Sequence, residues 1–293
     1  MTSAGPQVLA SCSSAQGRPD VEPRPAALPA GTVLLEVAYD GAAFHGWQTQ
    51  GTLRTVAATF AAAVQAMDGA PPTLRGCSRT DAGVHALGQL VAFDPQRPSI
   101  SLEGWLRGLN TTLPRDVRVR RVWQAPLGFT PRFEAASKRY IYTIGTGHLV
   151  APWLRGQVWH IGATTKRELN LERMREGAAL LLGTHDYAAF KASDDPRDNT
   201  VRTLFRCDLE VHASRTGCCI TVTVEGTAFM KQMVRIIVGT LADIGLGLRS
   251  PSCIRDALES RQRASAGTTA PPQGLCLDRI TLRQPEALGP CFG

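Results

Sequence analysis

The chain lacks the marks of several large protein classes. No apolar run approaches the roughly 20 residues that a membrane-spanning helix needs, so no membrane segment is expected. The first residues, Met1-Thr2-Ser3-Ala4-Gly5, do not set a basic region before an apolar core, so no secretory signal is visible. There are eight cysteines but no Cys-x-x-Cys and no cysteine–histidine spacing of the zinc type. The adjacent Cys218 and Cys219 would point to opposite faces of a strand, the way a reduced cytosolic protein uses cysteine as a small hydrophobe. The histidines at 45, 85, 148, 160, 185 and 212 form no ligand pair. The expectation is a soluble, cytoplasmic protein with no metal and no other cofactor. Residues 1–30 contain no aromatic residue and are rich in Ala, Pro, Ser and Gly, so they are expected to form a disordered tail.

What remains is ample for a core. The chain has 293 residues, 43% apolar and 19% charged, enough for two ordinary domains or one large one. Val33, Leu35 and Val37 alternate as a strand that Asp40-Gly41 closes. Val56, Phe60, Val64 and Met67 recur at helical spacing, ending at Asp68-Gly69. Further strands are predicted over 90–93, 117–122 and 139–144. Asn170 then caps a helix carrying Leu171, Met174, Ala178 and Leu181. Phe205, Cys207, Leu209 and Val211 alternate as a strand, and residues 220–224 make the next. Phe229, Met233, Ile236, Ile237 and Leu241 mark a helix, Ser250-Pro251 opens another, and Leu275, Leu277 and Ile280 form a last strand. Acid-Gly-x-Ala-Phe occurs at 40–44 and again at 225–229, each time after a strand. Two related α/β halves are expected, residues 31–145 and 146–285, followed by a flexible tail over 286–293. The irregular mixture of strands and helices argues for an α+β fold with a largely antiparallel sheet and a cleft between the halves.

The net charge is +7, and residues 1–30 contribute none of it. The excess gathers in Arg115, Arg118, Arg120, Arg121, Arg132, Lys138 and Arg139, against Asp116 and Glu134. Such a strip suits phosphate contacts, though a solvated face has the same composition.

Chemistry concentrates in Arg79-Thr80-Asp81-Ala82-Gly83-Val84-His85-Ala86. A carboxylate stands among small residues that let a substrate approach, with a fixed cation two positions before it. An Asp near a Gly also makes an ordinary turn by bonding its own backbone. The longer run from Gly76 resembles the active-site loop of the tRNA pseudouridine synthases of the TruA family, with Ser78 where that family usually has glycine. Three more patches resemble the same family. Tyr39-Asp40-Gly41 leads to Gly46-Trp47-Gln48-Thr49-Gln50, where Trp47 is either core filler or part of an RNA-contacting loop with Gln48 and Gln50. Phe129-Thr130-Pro131-Arg132-Phe133-Glu134-Ala135 leads to Lys138-Arg139-Tyr140-Ile141-Tyr142, with Thr130-Pro131 replacing the family's His-Ala. Phe229 to Gly239 is similar to a family helix that carries Arg235 in apolar surroundings, where a buried arginine needs an anion; Asp81 and Glu225 are the candidates. Thr200-Val201-Arg202-Thr203 and Gly274-Leu275-Cys276-Leu277 are shorter matches, and Val56-Ala57 departs from the family's Val-Gln.

The resemblance implies a pseudouridine synthase fold with a central RNA-binding cleft. It implies an isomerase that converts uridine to pseudouridine at positions 38–40 of the tRNA anticodon stem-loop, with tRNA held by a homodimer. Asp81 would be the nucleophile, Arg79 and Arg235 would keep it anionic, and Tyr140 would stack on the target base. Trp47, Gln48, Gln50, His85, Arg132, Lys138 and Leu275 would line the substrate site. Two rival readings are an RNA-binding protein without catalysis and an Asp-nucleophile hydrolase, for which His85 is the only water-activating candidate.

Overall fold

The computed structural model describes residues 31–147, 149–162, 168–214 and 217–293; the expected tail over 1–30 lies outside the described residues. The strands are β1 (Thr32–Tyr39), β2 (Arg75–Gly76), β3 (His85–Phe93), β4 (Val117–Ala125), β5 (Ala135–Gly145), β6 (Trp159–His160), β7 (Gly183–Asp186), β8 (Val201–Ser214), β9 (Gly217–Gly226), β10 (Leu275–Leu282) and β11 (Cys291–Phe292). The helices are α1 (Val56–Asp68), α2 (Leu102–Thr112), the short α3 (Pro131–Glu134), α4 (Leu171–Ala179), α5 (Met233–Gly245) and α6 (Cys253–Ser260).

All eleven strands join one sheet, ordered β11-β4-β1-β3-β10-β5-β9-β8-β7, with β2 on β3 and β6 on β5. Every pairing is antiparallel except β10 with β3 and β5 with β6. This is the expected α+β architecture, but the two halves interleave. β10, from the end of the chain, enters between β3 and β5. β5 in turn pairs with β9 along Lys138–Gly145. Residues 286–293, expected to be loose, include β11, which pairs Cys291 with Trp123 and Phe292 with Val122 on β4.

The local signals act as their chemistry dictates. Thr55 accepts the Ala58 amide at the start of α1, and Gly69 ends it at φ 85°. Asn170 accepts the Arg173 amide at the start of α4. The Pro251 start comes slightly early, since α6 begins at Cys253 after a turn. α2 is not anticipated from sequence: only Leu102, Trp105 and Leu109 anchor it, in an otherwise polar segment. The alternation over β8 also slips. A bulge between Leu204 and Arg206 leaves Phe205 exposed and puts Leu204, Cys207 and Leu209 in the core.

Both halves of the acid-Gly-x-Ala-Phe repeat need glycine for the same reason. A Cβ at Gly41 would lie 2.0 Å from the Val84 carbonyl oxygen, and one at Gly226 would lie 2.6 Å from that of Thr203. Each strand end is pressed against a neighbouring backbone. Among the described residues no helix is long and apolar enough to cross a membrane.

Candidate active site

Residues 77–84 connect β2 to β3 and lie against the loop that follows β1. The Trp47 amide donates to the Thr80 carbonyl at 3.0 Å, and the Gly83 amide donates to Phe44 at 3.2 Å. Gly46, at φ 87°, comes so close that a Cβ would sit 2.7 Å from the Thr80 oxygen. Two patches far apart in sequence thus form one double loop.

Asp81 closes its turn with its backbone, accepting the Val84 amide at 3.2 Å, and its side chain points elsewhere. Arg235 Nη1 donates to Asp81 Oδ2 at 3.1 Å, with the arginine side chain 13% exposed and the carboxylate 26%. Arg235 Nε donates to the Ala270 carbonyl at 2.8 Å, which fixes the guanidinium. Glu225, the other candidate partner, instead accepts from Ser137 at 2.6 Å. Asp81 Oδ1 has no hydrogen bond among the described residues.

The loop stands over a cleft of about 1340 Å³. Lining it are Asp81, Arg79, Tyr140 and Arg235, with Trp47, Gln48, Gln50, Arg132, Lys138 and Leu275. Arg79 does not pair with Asp81; it is exposed and forms no ion pair among the described residues. Trp47 is buried and packs against Gly76, where a Cβ would approach its ring to 2.7 Å, so the tryptophan wedges the double loop together. Gln48 and Gln50 are exposed at the rim.

His85 lies outside this lining. The Gly41 amide donates to its Nδ1 at 3.1 Å, and its Nε2 bonds the Gly156 carbonyl at 2.9 Å. Both ring nitrogens are engaged in holding loops, so His85 is not available to activate water for a hydrolase. The basic strip also divides. Arg132 and Lys138 reach the cleft, whereas Arg115, Arg118, Arg120, Arg121 and Arg139 do not line it. Arg139 pairs with Asp278 at 2.6 Å, and Arg120 and Arg121 flank Glu36.

Tyr140 stands in the cleft wall, 5% exposed. Its hydroxyl bonds Ser78 Oγ at 2.9 Å, and Phe229 meets its ring edge-on at 5.1 Å between centroids. Burial pushes its pKa well above the usual phenol range, opposed by the Ser78 bond and aided by the Asp81 charge. Lys138 is buried and donates to the Cys77 carbonyl at 2.9 Å; burial pulls its pKa below the ordinary lysine value.

Several contributors escape sequence reading. Gln89 on β3 is wholly buried, accepts the Ser78 amide at 3.1 Å and donates to the Ser78 carbonyl at 2.6 Å. Thr80 bonds the Tyr39 hydroxyl at 2.8 Å. Lys231, paired with Asp194 at 2.6 Å, also lines the cleft, as do Asp195, Arg197 and Arg202. The charge-rich run Asp194-Asp195-Pro196-Arg197 before a strand was the available signal. Among the described residues no group of three or more His, Cys, Asp or Glu could hold a metal.

The sequence profile of the tRNA pseudouridine synthase family matches residues 36–134 and 178–281, which carry Asp81 and Arg235 but not Tyr140. The tRNA pseudouridine synthase A of Geotalea uraniireducens is 41% identical over 248 residues, covering 85% of this chain and 98% of that protein. That of Geobacter sulfurreducens is 41% identical with the same coverage, and that of Myxococcus xanthus is 37% identical over 85% of this chain and 91% of its own. Among solved structures, the archaeal box H/ACA sRNP Nop10-Cbf5 complex gives a TM-score of 0.31 at 10% identity, over 80% of this chain and 59% of that one, too slight a likeness to bear on the fold. By these matches the chain belongs to the tRNA pseudouridine synthase family, isomerases that convert uridine to pseudouridine in tRNA.

Proposed function

We propose that this chain isomerises uridine to pseudouridine at positions 38–40 of the tRNA anticodon stem-loop, with Asp81 as the nucleophile. One observation carries the assignment. A carboxylate with one unbonded oxygen stands in a basic cleft, its other oxygen held by an arginine fixed from a different part of the chain.

The reaction breaks the bond between ribose C1′ and uracil N1, turns the base, and forms a bond from C1′ to C5. The C5 proton is lost and N1 gains one, so nothing is consumed and no redox cofactor is needed. The carboxylate of Asp81 adds to the nucleoside while the base turns, and leaves it again as the C1′–C5 bond is completed. Arg235 holds it anionic and aimed. The uridine must leave its stack, which costs a few kcal/mol, and stacking against the ring of Tyr140 offsets part of that. Burial keeps the phenol of Tyr140 neutral, so its ring serves as a stacking platform.

The RNA backbone is gripped by the cleft cations Arg79, Arg132, Lys138, Arg197, Arg202 and Lys231. Gln48 and Gln50 face it from the rim. The functional unit is a homodimer working in the cytoplasm, where tRNA is held across two clefts. The test is tritium release from 5-tritiated uridine in unmodified tRNA, mapped along the RNA. Release from the anticodon stem-loop by the wild type but not by Asp81→Asn is expected, with tRNA binding nearly unchanged in the variant. Equal release by both proteins would remove Asp81 from the chemistry.

A further inference from the structure

We propose that Ser78 donates a hydrogen bond to a ring carbonyl of the uracil laid against Tyr140. The inference rests on the reading of the cleft as a uridine-isomerising site.

Ser78 and Tyr140 each bring one hydroxyl proton, and the single bond between them at 2.9 Å uses one. Neither hydroxyl has another partner among the described residues. One O–H donor is therefore left over, in a pair whose members are 9% and 5% exposed. A phenol is a stronger acid than an alcohol and so the better donor. Tyr140 gives its proton to Ser78 Oγ, and the serine O–H is the spare.

That donor is also held in place. The carboxamide of Gln89 grips the Ser78 amide and carbonyl at once, from a side chain with no exposure. These bonds fix the Ser78 backbone, from which Oγ reaches the Tyr140 hydroxyl. Its oxygen touches the phenol oxygen, so it lies beyond the rim of the Tyr140 ring. A base stacked on that ring presents its edge there. A uracil edge offers two carbonyl acceptors, O2 and O4, to a donor in that position.

The experiment compares wild type with Ser78→Gly, a substitution the resembled loop already accommodates, and with Ser78→Thr. The substrates are tRNA transcripts with uridine, 2-thiouridine or 4-thiouridine at the target position. Sulfur is a poor acceptor. Wild-type kcat/KM should fall about 2- to 10-fold on one thio substrate, the size of one neutral hydrogen bond. Ser78→Gly should be slowed by the same factor on uridine and show no further loss on either thio substrate. Ser78→Thr should recover most of the wild-type behaviour. Ser78→Gly matching wild type on uridine, or keeping the thio penalty, would overturn the inference while leaving the isomerase reading intact. A wild type that makes no pseudouridine in any tRNA would overturn both.

Discussion

Asp81 and Arg235 are 154 residues apart in the chain and 3.1 Å apart in space. Removing the arginine leaves a half-buried carboxylate without its counter-ion and free to rotate. Arg235→Leu should lower kcat roughly 100-fold, a loss of the size seen when one fixed electrostatic partner is removed. Single-turnover rates with the enzyme in excess over tRNA would measure it, and tRNA affinity should change far less. Gln89→Leu acts one step further away. It strands a buried amide and a buried carbonyl, which costs about 1–3 kcal/mol, and it loosens the backbone three residues before Asp81. A lower thermal midpoint together with a reduced kcat is expected; a lower midpoint with unchanged kcat would make Gln89 purely structural. At this scale the sequence is partly legible. A cation in an apolar helix demands an anion, so Arg235 called for a partner, while the choice between Asp81 and Glu225 needed the structure. Arg79 misleads because two residues of separation say nothing about which way a loop turns. Gln89 is silent because a polar residue in an alternating strand reads as solvent-facing.

Elements set the angle at which these side chains meet. Gln232, which precedes α5, has φ 59°, a left-handed conformation unfavourable for a residue with a Cβ. It turns the chain between Lys231 in the cleft and the helix that carries Arg235. Gln232→Gly should relieve that strain and stabilise the fold by up to about 1 kcal/mol, read as a raised urea midpoint; a marked fall would mean that the glutamine side chain has structural contacts of its own. The two repeat glycines are the opposite case to Gln232, since there a side chain would add strain. Gly226→Ala forces a methyl toward the Thr203 carbonyl between β9 and β8, and overpacking of this kind costs about 1–3 kcal/mol. Periodicity foretold most of these strands and helices, because their apolar positions repeat without interruption. It missed the β8 bulge, since one extra residue shifts every later side chain to the other face without altering composition.

Over the whole molecule the cleft collects cations while much of the remaining basic strip is neutralised by its own acids. Lys138 makes this titratable. Its folded pKa lies below the unfolded one, so its charged form costs stability at neutral pH, and the cost is relieved as pH rises through the depressed value. A phosphate beside it favours the charged form and pulls the pKa back up. RNA affinity should therefore fall on the alkaline side earlier than an ordinary lysine would allow, and Lys138→Met should flatten that limb when the Kd is followed from neutral pH to about 10. The same variant should reduce the salt slope of binding by about 0.7–0.9, as expected for one lost phosphate contact, whereas Arg118→Glu, outside the cleft, should leave the slope nearly unchanged.

The place of β10 has a consequence for how the protein is made. The strand that separates β3 from β5 leaves the ribosome long after both of them, and Arg235 emerges long after Asp81. A nascent chain made only as far as β5 exposes two unpaired strand edges flanking an empty slot, and the Asp81 carboxylate has no counter-ion. The candidate site is thus assembled only once α5 and β10 have been made, and a product truncated before residue 275 would lack the strand that joins β3 to β5.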